Sequence, residues 1–98
     1  LKLGPSILIR NSRMAIKIHP HARERMLERG ASEEEILRTI IEGDEFKAKF
    51  DRKGFRRNFP FNAVRKGKGK HCQTKQVEVY AVEEDDHIIV ITVVVKYF

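Results

Sequence analysis

Between Arg29 and Ile36 the chain reads Arg-Gly-Ala-Ser-Glu-Glu-Glu-Ile, and this run constrains the fold more than any other segment. A glycine is a natural helix stop, and a serine followed three residues later by glutamate forms a capping box in which side chain and backbone bond reciprocally. Glu33, Glu34 and Glu35 also complement the positive end of a helix dipole. One helix therefore ends near Gly30 and a second begins at Ser32. Upstream, Pro20 suits a first helical position, where its missing N–H has no intrahelical partner, so the first helix runs from Pro20 to about Arg29. Ile36, Leu37, Ile40 and Ile41 give the second helix an apolar stripe, and Gly43 ends it. That stripe needs a sheet to cover.

The segments that supply the sheet are read from two-residue alternation. Ile16 and Ile18 suggest a short strand or extended lead-in before Pro20. Phe46, Ala48 and Phe50 alternate with Lys47, Lys49 and Asp51, predicting a half-buried strand, with Lys53-Gly54 as a turn. Phe55 to Arg65 reads as another strand. Pro60 within it demands an edge, a bulge or a bend. Gln76 to Glu83 resumes the alternation, and Glu84-Asp85-Asp86 is a polar turn. His87 to Phe98 is the strongest strand and is expected to be central, with Ile89, Ile91, Val93, Val95 and Tyr97 on one face and Thr92 and Lys96 interrupting the other. The expected architecture is α+β: two N-terminal helices packed on an antiparallel sheet of about four strands. The opposite sheet face, carrying Thr92, Lys96 and Tyr80, is left as an open binding face.

At 98 residues the chain suits one domain. Residues 14–98 form that domain. Residues 1–13 read as an upstream extension or expression remnant, with a possible short strand at Ile7-Leu8-Ile9. A formal charge of +6 and a pI near 9.7 favour acidic partners, RNA above all. The single cysteine, Cys72, cannot form an internal disulfide and fits a reducing cytosol. Ile88 to Val95 is too short to span a bilayer as a helix, so no membrane association is expected.

His21, Arg25 and Arg29 follow one another at intervals of four, a ridge on one helix face. Arginine's planar, permanently charged fork suits phosphate, and histidine titrates near neutrality, so the ridge reads as two phosphate binders behind a proton-transfer group. Arg29 reads equally as a partly buried structural arginine. His19 reads as a solvated residue or an improvised helix cap. Phe55-Arg56-Arg57-Asn58-Phe59 interleaves cations with aromatics, a composition suited to RNA, although Phe55, Phe59 and Phe61 share a core-facing parity. Arg57 shares that parity and needs a partner or a cleft. Arg56, Lys66, Lys68, Lys70, Lys75 and Tyr80 complete the candidate RNA-binding set, the three loop lysines lying in Arg65-Lys66-Gly67-Lys68-Gly69-Lys70. That loop lacks the glycine spacing and the Ser/Thr of a nucleotide-binding loop. His19, His21, His71 and Cys72 have no recognised zinc spacing, and neither a metal nor another cofactor is expected.

His21-Ala22, Arg25-Met26, Arg29-Gly30 and Ser32-Glu33-Glu34-Glu35, followed by Ile89-Val90-Ile91-Thr92-Val93, resemble the prokaryotic family called domain of unknown function 4258. The similarity spans about Ile18 to Phe98. That family in turn resembles small ribonuclease toxins of the RelE and BrnT type, in which helices cover a curved antiparallel sheet and an antitoxin is the cognate partner. The resemblance implies metal-independent RNA cleavage. A base activates the ribose 2′-OH, cations stabilise the charged transition state, and an acid protonates the leaving oxygen. On that reading His21 is the general acid or base, Arg25 and Arg57 bind phosphate, and Lys96 supplies an auxiliary charge. A noncatalytic module that uses the same basic face to bind an acidic protein is the alternative.

Overall fold

The computed structural model describes residues 7–8, 15–64, 69 and 71–98. Its elements, in chain order, are β1 (Ile7–Leu8), β2 (Ala15–Ile18), α1 (Pro20–Arg29), α2 (Glu33–Glu42), β3 (Asp44–Lys47), β4 (Lys53–Val64), β5 (His71–Glu84) and β6 (His87–Tyr97). Both helices begin and end where the local chemistry requires. Pro20 opens α1, the His19 ring accepts the His21 N–H at 3.1 Å, and Gly30 closes the helix in a left-handed conformation at φ 77°. The Ser32 hydroxyl accepts the Glu35 N–H at 3.1 Å while the Glu35 carboxylate accepts the Ser32 N–H at 2.9 Å, completing the capping box.

The sheet corrects the expectation of about four antiparallel strands. Six strands occur among the described residues, in the order β1-β2-β6-β5-β4-β3, and all but β1 are four residues or longer. β2 pairs with β6 in parallel, Ile16 opposite Ile88 and Ile18 opposite Val90, so the sheet is mixed. The all-antiparallel, RelE-type architecture expected above is therefore replaced. Alternation in sequence reports which residues share a face but not which edge a lone strand joins. β2 is placed by burial of Ile16 and Ile18, at 0% and 2% exposure, beside Val90.

One face of the sheet carries both helices. Val77, Val79, Val93, Val90 and Phe55 meet Ala22, Met26, Ile36 and Ile40 there in one core. β6 does not keep a single register. Tyr80 pairs with Thr92 but Ala81 with Val90, leaving Ile91 as an extra residue in a bulge. The alternation therefore slips: Ile88 and Val90 face the helices before the bulge, Val93 after it, and the expected single face from Ile89 to Tyr97 is broken. Pro60 sits beyond the four residues of β4 that pair with β3, next to a second bulge, so its missing N–H interrupts no strand pairing on that edge.

The turn between β3 and β4 also differs from the expectation. It lies at Phe50 and Asp51, both at positive φ (61° and 57°), with the Arg52 N–H bonded to the Lys49 carbonyl at 3.3 Å. Lys53-Gly54 is strand instead. Gly54 is required because the Phe46 ring lies over it, and a Cβ there would come within 2.2 Å of that ring.

Candidate functional site

The sheet separates the candidate residues into two groups. On the open face β4, β5 and β6 bring Arg56, Glu78 and Lys96 together. Glu78 alternates with the buried Val77 and Val79, so it points away from the helices. Its residue is only 3% exposed, and a buried carboxylate persists only with partners. Arg56 Nε donates to Glu78 Oε2 at 2.7 Å, the Tyr80 hydroxyl donates to Oε1 at 3.2 Å, and Lys96 Nζ lies 3.7 Å from Oε1. Both cations keep about half of their side-chain surface in solvent, at 46% and 58%. Partial burial, then the Glu78 charge and hydrogen bond, push the Tyr80 phenol above its usual range, so it stays protonated at neutral pH.

Aromatic rings continue this surface. Arg56 lies over the Phe46 ring, 4.7 Å from its centre, and Phe46 meets Tyr80 edge to face at 6.0 Å. Beyond them a groove of about 440 Å³ runs between Tyr80, Thr92 and Phe46 and the β3–β4 turn with Lys47, Lys49, Phe50 and Arg52. At the other end Gln76 donates to Asn58 at 2.9 Å. Cations, amides and aromatic faces thus share one surface, and cations beside exposed rings can hold an anion next to a planar group.

The helix-bearing side holds the remaining candidates, and there the cations are engaged by the protein itself. Lys75 is 9% exposed; its ammonium bonds the Gly30 carbonyl at the end of α1 and Glu35 of the α2 capping box at 2.9 Å. Partial burial works to raise the Glu35 pKa, but the Ser32 N–H and Lys75 outweigh it and hold that carboxyl below its ordinary value. Arg29 donates to the Val93 carbonyl at 2.5 Å, on the stretch of β6 beyond the last β2 pairing at Val90. Arg25 pairs with Glu28 at 2.8 Å, Arg57 pairs with Glu42 and lies over Phe59, and the His21 ring lies 3.9 Å from Glu24. A cleft of about 640 Å³ opens past the end of α1, lined by Leu27, Arg29, Lys75, Val64 and Tyr97 among others.

The four residues assigned to catalysis from the sequence therefore do not converge. His21 and Arg25 lie on α1 and Arg57 beneath α2, whereas Lys96 faces the opposite side of the sheet. The helical ridge is likewise dispersed, since Arg29 reaches into the backbone of β6 and Arg25 turns to its own helix. Of the RNA-binding set, Arg56 and Tyr80 join Lys96 around Glu78, Arg29 and Lys75 line the far cleft, and Lys66, Lys68 and Lys70 lie outside the described residues. Glu78 is absent from the sequence reading. Its signal was an acid between two valines on the parity of Tyr80. Phe50 was assigned to a half-buried strand, yet it is 84% exposed.

Among the described residues no three His, Cys, Asp or Glu side chains are grouped to hold a metal ion, and no helix is long and apolar enough to cross a membrane. No curated protein and no solved structure matches the chain. The sequence profile of a domain of unknown function, DUF4258, matches residues 18–95, which takes in both helices, the aromatic groove and, of the Glu78 cluster, Arg56, Glu78 and Tyr80, with Lys96 one position beyond the match. That span covers most of the 98 residues, and the chain belongs to the DUF4258 family.

Proposed function

We propose that this protein binds single-stranded RNA on the open sheet face and cleaves it without a metal, as the toxin of a toxin–antitoxin pair. The observation that carries the reading is the buried Glu78 carboxylate bracketed by Arg56, Lys96 and Tyr80 on a surface otherwise open to solvent. Arg56 and Lys96 hold the scissile phosphate and stabilise the charge that builds on it. Glu78 takes the proton of the ribose 2′-OH, whose oxygen bonds to phosphorus. The bond from phosphorus to the 5′-oxygen breaks, and the Tyr80 phenol gives that oxygen its proton. The products are a 2′,3′-cyclic phosphate and a 5′-hydroxyl. The proton on Glu78 then returns to Tyr80 along their hydrogen bond, which resets the pair.

The test is incubation of labelled single-stranded RNA with the protein in EDTA, with analysis of the product ends. Cyclic phosphate ends, lost in Glu78→Gln and Tyr80→Phe but retained in His21→Ala, support the reading. Wild-type protein that binds RNA and leaves it intact overturns the catalytic half.

A second reading, a noncatalytic module for an acidic protein partner such as an antitoxin, draws on the far cleft. Leu27 is 86% exposed at its rim, with Arg29 and Lys75 beside it. Charge reversal at Arg29 with Leu27→Ser abolishes partner binding on this reading, and leaves it intact if the partner sits elsewhere.

A further inference from the structure

The β3–β4 turn presents Phe50 in a way that folding does not require. A bulky side chain in the left-handed region is a true outlier, and successive positive φ values are normally filled by Asn-Gly or Asp-Gly. Here Phe50 and Asp51 occupy those positions, at φ 61° and 57°. The ring gains no burial in return, since the residue is 84% exposed. It faces a groove whose other wall is Tyr80, Thr92 and Phe46, with Lys47, Lys49 and Arg52 around it. The Arg52 guanidinium lies 5.9 Å from the centre of the Phe50 ring. At about 440 Å³ the groove falls within the range of roughly 300–1,000 Å³ typical of ligand clefts.

We propose that this groove is a stacking subsite for one unpaired nucleobase of an RNA strand, with Phe50 as the stacking face. Resting on the RNA reading above, it adds the element that selects unpaired over paired RNA. Tyr80 links the two parts, because it lines the groove and also bonds Glu78. A nucleotide whose base enters the groove therefore places its phosphate toward Arg56 and Lys96. The surrounding lysines and Arg52 fit the strand's charge. Every base has a π-face, so the subsite selects for an unpaired base and not for sequence.

The experiment uses a fluorescent single-stranded RNA octamer and the same sequence as a duplex, titrated against wild type, Phe50→Gly, Phe50→Trp and an Arg56→Ala/Lys96→Ala double variant, with thermal unfolding of each. Phe50→Gly is expected to weaken single-strand binding roughly 5- to 150-fold, the range for loss of one base-stacking contact, while its unfolding temperature holds or rises because glycine tolerates this backbone. Phe50→Trp retains single-strand affinity, and duplex binding is weaker and insensitive to residue 50. Equal affinity of wild type and Phe50→Gly, with binding lost in the double variant, overturns the subsite and leaves the RNA surface standing. No single-strand binding by wild type at low salt overturns both.

Discussion

Lys75 and Glu78 are three residues apart on β5, both buried, and they serve opposite sides of the sheet. Lys75 points under the helices and is consumed by structure. It ties the end of α1 to the capping box of α2, and its carboxylate partner is 21% exposed at the side chain. Glu78 points to the open face, where it gathers two half-exposed cations and a phenol rather than another piece of scaffold. The contrast teaches that burial alone does not distinguish a clip from a site. What distinguishes them is whether the partners are the backbone and caps of the scaffold, or side chains still able to turn to a ligand.

Substitutions can break that contrast. Its largest consequence is expected at Glu78: Glu78→Gln should cut the cleavage rate by about 100-fold or more, the usual weight of a positioned proton acceptor, while urea denaturation shows a change of about 1 kcal/mol because Arg56 and Lys96 can return to solvent. Lys75→Ala should invert that pattern. Removing one partner of a largely buried ion pair costs about 3 kcal/mol in the same denaturation, and RNA affinity per folded molecule should hold. If Lys75→Ala instead spares stability and abolishes binding, the two roles have been assigned to the wrong sides.

Acid sharpens the same division. The Glu35 carboxyl is held below its ordinary value of 4.5 in the fold, so its contribution to stability is present above that pH and is lost as the pH falls through the lowered folded value. Denaturation midpoints measured from pH 7 down to pH 3 should therefore decline more steeply for wild type than for Glu35→Gln. Arg29→Ala removes the donor to the Val93 carbonyl at an accessible edge and should cost about 1 kcal/mol. His21→Ala, on an exposed helix turn, should fall within about 0.5 kcal/mol of wild type and leave cleavage unchanged.

Much of the scaffold was legible because its signals are local. Pro20, Gly30 and the Ser32–Glu35 box specify two helices through bonds formed within a few residues of each other. Two-residue alternation correctly placed Tyr80 and Lys96 away from the helices and Tyr97 toward them. The misreadings arise where a strand loses its register. Ile91 bulges out and shifts the parity of the start of β6, and the turn falls at Phe50 and Asp51 although Lys53-Gly54 has the more usual turn composition. Gly54 serves instead as the space beneath Phe46, a cross-strand fact that no window of sequence contains.

The candidate site was legible only in parts, for a related reason. A cation's type is written at its position, but its partner is not. Arg25, Arg29 and Arg57 have the chemistry for phosphate, yet Glu28, the Val93 carbonyl and Glu42 hold them. Arg56 and Lys96, 40 positions apart, meet only because β4 and β6 flank β5 and both reach Glu78.

The sequence by itself determined the helices, the strand-forming segments, the basic charge and the inventory of cations, because capping, periodicity and composition act over short distances. Only the tertiary structure decided that β2 joins β6 in parallel, that Lys75 is a clip and that Glu78 is the centre of the open face. Those outcomes depend on which buried charges and which strand edges find each other across the sheet, and that pairing is settled by the whole fold.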